Sequence, residues 1–342
     1  MGKQKVLIVG GAGYIGAHVN KLLSQSGFET VVFDNLSTGH REFLKWGDFF
    51  KGDLSNRRDI DRCLSRHSVG AVIQLAASIA VGESVRNPSK YYSNNLCNTV
   101  NLLNAMGVAG IKKLVFSSTA AVYGNPVSIP VTEEHPLAPI NPYGRTKKFI
   151  EEILPDYEAA YGIKFVSLRY FNAAGADPAG ELGQWYDSFT HLIPLVFNAA
   201  LDKDKPLRIF GTDYPTPDGT CVRDYVHVSD LAQAHLLALN YLKAGKPSNR
   251  FNLGNGKGHS VREVISTVEG VSGLKVRSIK AARRAGDPPA LVASSKRAAS
   301  VLGWAPELGD LRQIVGTAWN WHNLISCPKK KKGRRRAAVI KH

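Results

Sequence analysis

Val6-Leu7-Ile8-Val9-Gly10-Gly11-Ala12-Gly13-Tyr14-Ile15-Gly16 stands near the start of the chain. Its first four residues are apolar and mostly β-branched, the pattern of a parallel strand buried on both faces. Glycines at 10, 11, 13 and 16 follow at once, and then an amphipathic helix through Val19, Leu22 and Leu23. Such a turn lets the backbone come close to a pyrophosphate and aims a helix N-terminus at its charge. A second apolar strand, Thr30 to Phe33, ends in Asp34, eighteen residues past Gly16. A carboxylate there accepts from both ribose hydroxyls and repels a 2′-phosphate, so NAD is expected rather than NADP. A glycine triplet alone is weak evidence. Strand, glycines, helix, strand and acid in register make this end a dinucleotide site.

With 342 residues the chain is long enough for a large core. Hydrophobic content of 44% and charged content of 21% are those of ordinary globular proteins. No apolar run approaches the ~20 residues of a membrane helix. The first strand begins by Val6, which leaves no room for a signal peptide, and a cytoplasmic setting is expected. Cys63, Cys97, Cys221 and Cys327 lack metal-ligand or CxxC spacing, so no metal site is expected and a reducing compartment suits them. The net charge of +16 divides in two. Residues 329–342 hold five Lys and three Arg and no acid, so the tail carries half of it. That tail reads as a solvated, disordered end, and nucleic acid is not an expected partner elsewhere. The other reading is an address for a nucleus, nucleic acid or an anionic surface, but no aromatic residues interleave with the charges as a single-strand binder wants.

After Asp34, the loop Asn35-Leu36-Ser37-Thr38-Gly39 lies beside the expected adenosine. A short strand, Asp48 to Lys51, leads to Asp53 and Leu54, where an acid can hold the adenine amino group. Asn56 reads as the N-cap of a helix through Ile60 and Leu64. Ala71 to Leu75 is the fourth strand, and its small sequel Ala76-Ala77 leaves space for a cofactor. Pro88 suits the first turn of a long helix to about Met106. Leu114-Val115-Phe116 is the next strand, opening into Ser117-Ser118-Thr119, and Lys164 to Leu168 follows a helix from Asn141. This alternation predicts an α/β fold, a doubly wound parallel Rossmann sheet, with a smaller C-terminal α/β substrate-binding region. Residues 1–172 are the NAD-binding domain, 173–326 mainly the substrate region, with segments near 222–245 packing back on the first domain, and 327–342 the tail. Helices are expected near 189–201, 230–243, 260–272 and 308–324, and strands near 207–210, 222–228, 250–253 and 275–279.

Tyr143 and Lys147 sit one turn apart on a helix, after a strand that ends in Thr119. A phenol ionises near pH 10, so as a base at neutral pH it needs a cation nearby. An ammonium one turn away and a positive nicotinamide ring lower that value. Thr119 can donate to, or accept from, the same substrate hydroxyl.

The segments GGAGYIG at 10–16, AVGES at 80–84, STAAVYG at 118–124, NPYGRTK at 141–147, RYFNAAG at 169–175 and RDYVHVSDL at 223–231 identify a wider likeness. Over about residues 5–325 the chain resembles the extended short-chain dehydrogenases/reductases, and among them the UDP-glucose (UDP-galactose) 4-epimerases. The resemblance implies that Tyr143 takes the proton of the sugar 4-hydroxyl while hydride passes to NAD, and that hydride returns to the other face of a transient 4-keto sugar. It implies that Lys147 holds the nicotinamide ribose and lowers the Tyr143 pKa, and that Thr119 bridges to the reacting oxygen. By matching position it implies cofactor contacts at Gly10, Gly13, Tyr14, Ile15, Gly16, Asp34, Asn35, Asp53, Leu54, Asn94, Ser117 and Tyr170. For the UDP-sugar it implies Asn172, His191, Leu192, Phe210, Arg223, Arg284, Asp287 and Leu291. Arg suits a diphosphate, Phe a uracil face and Asp ribose hydroxyls. A homodimer is also implied, with helices near 89–106 and 143–161 paired with their copies; Leu102, Leu103, Ile150 and Ile153 are apolar residues expected on their outer faces, although the same residues could equally be packed on the chain's own sheet.

Three positions depart from the usual pattern. Ile79 stands where a Lys often reaches the cofactor phosphates, and His191 where an Asn lies near the sugar diphosphate. Leu291 replaces a bulky Tyr and leaves the sugar pocket roomier, which keeps 4-epimerisation of UDP-N-acetylglucosamine or a UDP-pentose as the alternative reaction. Sister 4,6-dehydratases carry an acid or base directly after the Thr of the strand-end motif, and here Ala120 and Ala121 stand there. A non-catalytic NAD-binding module would not need Tyr143 and Lys147, and both are present.

Overall fold

The structure, a computed structural model, describes residues 4–185, 190–284 and 287–326. Strands β1 (Lys5–Val9), β2 (Thr30–Asp34), β3 (Asp48–Lys51), β4 (Val69–Gln74), β5 (Lys113–Thr119) and β6 (Lys164–Tyr170) alternate with helices α1 (Tyr14–Gln25), α2 (Arg57–Arg66), α3 (Val81–Arg86), α4 (Pro88–Tyr91), α5 (Asn98–Val108) and α6 (Pro142–Tyr161). The second half adds β7 (Asn172–Ala174), α7 (Leu192–Leu201), β8 (Leu207–Phe210), β9 (Val222–His227), α8 (Val228–Lys243), β10 (Asn249–Leu253), β11 (Gly258–Ser260), α9 (Val261–Ser272), β12 (Ser278–Ala281), β13 (Ala290–Leu291) and α10 (Leu311–Ser326). The basic tail from Lys329 lies outside the described residues.

The main sheet runs β3-β2-β1-β4-β5-β6-β10, and every neighbouring pair is parallel. Side chains alternate across it. Val6 and Ile8 of β1 join Val19, Leu23, Leu231, Leu239 and Phe251 on one face. Leu7 and Val9 join Leu102, Met106, Phe116, Ile150 and Leu154 on the other. This is the doubly wound α/β sheet that the strand–helix rhythm predicts. Strand order reverses between β1 and β4, where ligands of such sheets bind.

Four expectations need correction. The strand near 250–253 is expected in the smaller region, but β10 hydrogen-bonds along β6 and closes the main sheet. Phe251 and Leu253 bury themselves beneath α8, which packs across α1. The long helix after Pro88 is interrupted by a wide π turn at Tyr92–Cys97. That extra residue turns Asn94 and Asn95 toward Ser78, so both amides bond there. The strand expected near 275–279 starts at Ser278, because Glu269 holds the Val276 amide in the turn after α9. Finally, Leu102, Leu103 and Ile150 face the chain's own sheet with at most 1% exposure, and Ile153 is partly buried against the same cluster. The outward apolar residues of this helix pair include Phe149 and Tyr161 instead.

Beyond the main sheet, β9 pairs with β11, β13 and β7, and β8 pairs with β12. Helices α7, α9 and α10 cover these ribbons with Ile193, Phe197, Val264, Val268 and Ile314.

Helix α6 carries the Tyr/Lys pair, and its entry is set locally. Asn141 is extended, accepts from the Gly144 amide at 2.9 Å, and precedes a proline at the first helical position. Gly162 ends the helix in the left-handed region at φ +66°. Replacing Asn141 with Ala is expected to cost about 1 kcal/mol in urea denaturation. An unchanged midpoint would mean that other contacts hold the helix start.

Candidate active site and cofactor cradle

The glycine turn is defined by what it excludes. A Cβ on Gly16 would lie 2.2 Å from the Gly10 carbonyl oxygen, and one on Gly10, at φ +80°, would lie 2.7 Å from the Ala76 amide nitrogen. β1, α1 and the end of β4 therefore approach more closely than side chains allow. Gly13 caps α1 without a side-chain bond, and the first turn holds no acid, so nothing competes for an anion at this helix end. A dinucleotide pyrophosphate fits this cradle.

The other candidate cofactor residues line the same carboxyl edge. Asp34 accepts from the amides of Ala12 at 3.0 Å and Leu36 at 2.8 Å. Burial nevertheless raises its pKa above the ordinary value. Asn35 donates to Asp53 at 2.7 Å, and the Ser55 amide donates to the other oxygen at 2.8 Å. Burial works against the Asp53 charge, but these bonds outweigh it and hold the carboxyl below its usual range. Leu54 is buried, with its carbonyl taken by Asn101. Asn94 bonds Ser78 at 2.9 Å, while Ile79 is exposed and offers no charge to a phosphate. The Tyr14 hydroxyl donates to the Gly175 carbonyl and Ile15 packs on the core, so at both positions the backbone remains to serve a ligand.

At the next strand ends the structure brings together Ser117, Thr119, Tyr143, Lys147 and Tyr170. Lys147 donates to the Ser117 carbonyl at 2.8 Å, and its ammonium lies 4.9 Å from the Phe116 ring centre. The hydroxyls of Ser117 and Tyr170 bond each other, and Tyr170 pairs with Thr119 across the strands. Burial raises the Tyr143 pKa, while its hydrogen bond to Thr119 lowers it. Burial lowers Lys147 to about 7, against the pull of Glu151. Lys147 stands one helical turn from Tyr143, and in its protonated form its charge favours the phenolate, the form in which a phenol acts as a base.

The second region supplies an aromatic and charged wall. The Arg284 guanidinium lies 4.5 Å from the Phe210 ring centre, and Asp287 lies between Arg284 at 3.9 Å and Arg223 at 3.6 Å. Leu291 pairs with Arg223 across β13 and β9. It packs in the cluster of Ala120, Val122, Tyr123 and Phe171, which joins this wall to the strand end bearing Thr119. Asn172 pairs with Tyr225, two residues past Arg223 on β9. His191 and Leu192 open α7, where Leu192 packs in the cluster that contains Tyr225. Burial lowers the His191 pKa, which favours the neutral ring.

Sequence reasoning missed the layer beneath. Glu151, Arg169, Ser118 and Tyr123 form a buried network against the Tyr/Lys pair. One signal was available: Tyr143, Lys147 and Glu151 recur every fourth residue, so they share a helix face.

The geometry agrees with comparisons to known proteins. The model of the NAD dependent epimerase/dehydratase family matches residues 6–254. The UDP-glucose 4-epimerase of Rhizobium meliloti is 50% identical over 323 residues, covering 94% of this chain and 98% of that protein. The crystal structure of UDP-glucose 4-epimerase from Brucella ovis in complex with NAD is 47% identical, with a TM-score of 0.90 over 93% of this chain and 98% of that one. The enzyme from Bifidobacterium longum, solved with NAD+ and UDP, is 37% identical, with a TM-score of 0.89 over 94% and 98% of the two chains. By sequence, fold and cradle the chain belongs to the NAD dependent epimerase/dehydratase family, and within it its likeness is to the UDP-glucose 4-epimerases.

Proposed function

We propose that the chain is an NAD-dependent 4-epimerase that interconverts UDP-galactose and UDP-glucose, with Tyr143 as its acid–base residue. One observation carries the reading: the hydrogen-bonded pair of half-buried Tyr143 and buried Thr119, beside Lys147, meets the wall of Phe210, Arg223, Arg284 and Asp287 through Leu291. Ala120 and Ala121 follow Thr119, so the position where a dehydratase keeps an acid is methyl-lined.

The cradle of Gly10, Gly13, Gly16, Asp34 and Asp53 holds NAD. Asp34 suits ribose hydroxyls, and its charge disfavours a 2′-phosphate. Bound NAD supplies the acceptor and donor of hydride, so it ends each turnover as it began. Tyr143 takes the proton of the 4-hydroxyl and gives it back when the sugar has turned over. Thr119 steadies the reacting oxygen, and the Lys147 ammonium favours the phenolate. Arg223 and Arg284 neutralise the diphosphate, Phe210 faces the base, and Asp287 orients the two arginines or meets a ribose. Leu291, with no ring or hydroxyl, widens the sugar side.

Among the described residues no helix is long and apolar enough to cross a membrane. A homodimer goes with this reading. Its face is the outer side of the α5–α6 pair, where Phe149 stacks obliquely on Tyr92 and Tyr157 on Tyr161.

Incubation of the purified protein with UDP-galactose should yield UDP-glucose with no net NADH. Continuous stoichiometric NADH release would identify a dehydrogenase instead. Tyr143→Phe keeps the packing and removes the proton carrier, so turnover should fall about 10²–10⁴-fold while UDP-sugar still binds. A loss below tenfold would assign the base elsewhere. Light scattering at micromolar concentration should give about twice the 37.2 kDa chain mass; a species at the chain mass alone would rule out the dimer.

A further inference from the structure

Glu151 stands one turn beyond Lys147 and two beyond Tyr143 on α6, with its side chain 1% exposed. Its carboxylate gathers donors from three strands. From β5, the Ser118 hydroxyl donates to Oε1. From β6, Arg169 donates through Nε at 2.9 Å to Oε1 and through Nη2 to Oε2. From β10, Arg250 approaches Oε2 at 3.3 Å and bonds the Glu151 carbonyl at 3.1 Å. Arg169 in turn donates to the Tyr123 hydroxyl at 2.8 Å and the Glu133 carbonyl at 3.3 Å. The charged groups about this carboxylate are therefore Lys147, Arg169 and Arg250, with Glu133 and the phenol of Tyr123 beyond Arg169.

We propose that Glu151 is a positioning residue for the proton transfer: it pegs the Ser117–Thr119 strand end to α6 and gives Lys147 a buried counter-charge. Each link has a consequence at the reacting atoms. Ser118 lies between Ser117, whose carbonyl receives the Lys147 ammonium, and Thr119, which bonds Tyr143. Holding Ser118 thus sets the spacing of both partners. The carboxylate also favours the protonated lysine in a place where burial disfavours it. Because Glu151 is one turn from Lys147 and two from Tyr143, its charge acts mainly on the lysine. It keeps the lysine protonated, and that charge keeps the phenolate available. The proposal rests on the epimerase reading for its kinetic part only.

The test compares Glu151→Gln, Glu151→Asp and Ser118→Ala with the parent. Two readouts are used: kcat and KM on UDP-galactose, and the pH at which the Tyr143 phenolate appears. The latter is taken at 295 nm as the difference between each background and the same background carrying Tyr143→Phe. In E151Q the phenolate should appear about half a pH unit or more higher, because a lysine without its counter-charge gives up its proton first. Its kcat should fall about threefold or more with KM within twofold, half a pH unit being worth a factor of about three. E151D, which keeps the charge, should restore the phenolate titration. S118A, which changes no charge, should lower kcat about threefold or more at constant KM and leave the titration in place. Parent-like kcat and titration in E151Q would overturn the proposal. If E151Q does not fold, S118A decides: parent-like kcat there overturns the peg, and a selective kcat loss upholds it. If the parent itself does not turn over UDP-galactose, the functional reading fails, while the phenolate titrations still decide the role of Glu151.

Discussion

A contact between two backbone atoms sets the frame of this protein. The Gly10 carbonyl lies where any Cβ on Gly16 would be, and the chain after β4 lies where a Cβ on Gly10 would be. Only because both are glycines can α1 leave β1 at this angle and leave its first N–H groups at the sheet edge. Parallel pairing does the rest. Every strand of the main sheet ends on the same side, so Asp34, Thr119 and Tyr170 reach one edge from three different strands. A site assembled this way needs no dedicated loop to gather its parts.

The chemistry depends on placing a lysine where it is not comfortable. A buried ammonium is costly unless paired. Lys147 is offered a carbonyl, an aromatic face and, one turn away, a carboxylate. The balance leaves it near neutrality, where gaining or losing a proton is easiest. The carboxylate is itself held by arginines. Breaking such a buried pair by removing one partner costs about 3–5 kcal/mol, so the support beneath the pair is stiff. Stiffness matters to the proposed reaction, in which the reacting oxygen is met on both halves of a turnover by the same phenol.

The second region contributes a wall rather than a catalyst. Its arginines share one aspartate, one of them stacks on Phe210, and the short strand β13 ties Leu291 to Arg223. The apolar cluster around Leu291 and Tyr123 then locks wall to strand end. The charged wall thereby shares one packed seam with the strand end that bears Thr119.

The sequence alone determined the sheet, its cofactor edge and the Tyr/Lys pair. Glycine spacing, strand-end acids and a four-residue repeat are local signals, and local geometry obeys them wherever the rest of the chain lies. Asn56 and Asn141 cap their helices where they are read to, for the same reason. Only the tertiary structure decided what depends on distant partners. Asn249–Leu253 reads like any short strand, and nothing local says that the edge it completes belongs to β6. Leu102, Leu103 and Ile150 are apolar on either reading, and only the packed helices show that they face inward. The π turn after Tyr91 is set by the bonds of Asn94 and Asn95 to Ser78, sixteen and seventeen residues away. Glu151 reads as an ordinary helix acid until β5, β6 and β10 bring a serine and two arginines to it from separate parts of the chain. Burial and pairing are properties of that assembly, and no stretch of sequence contains them.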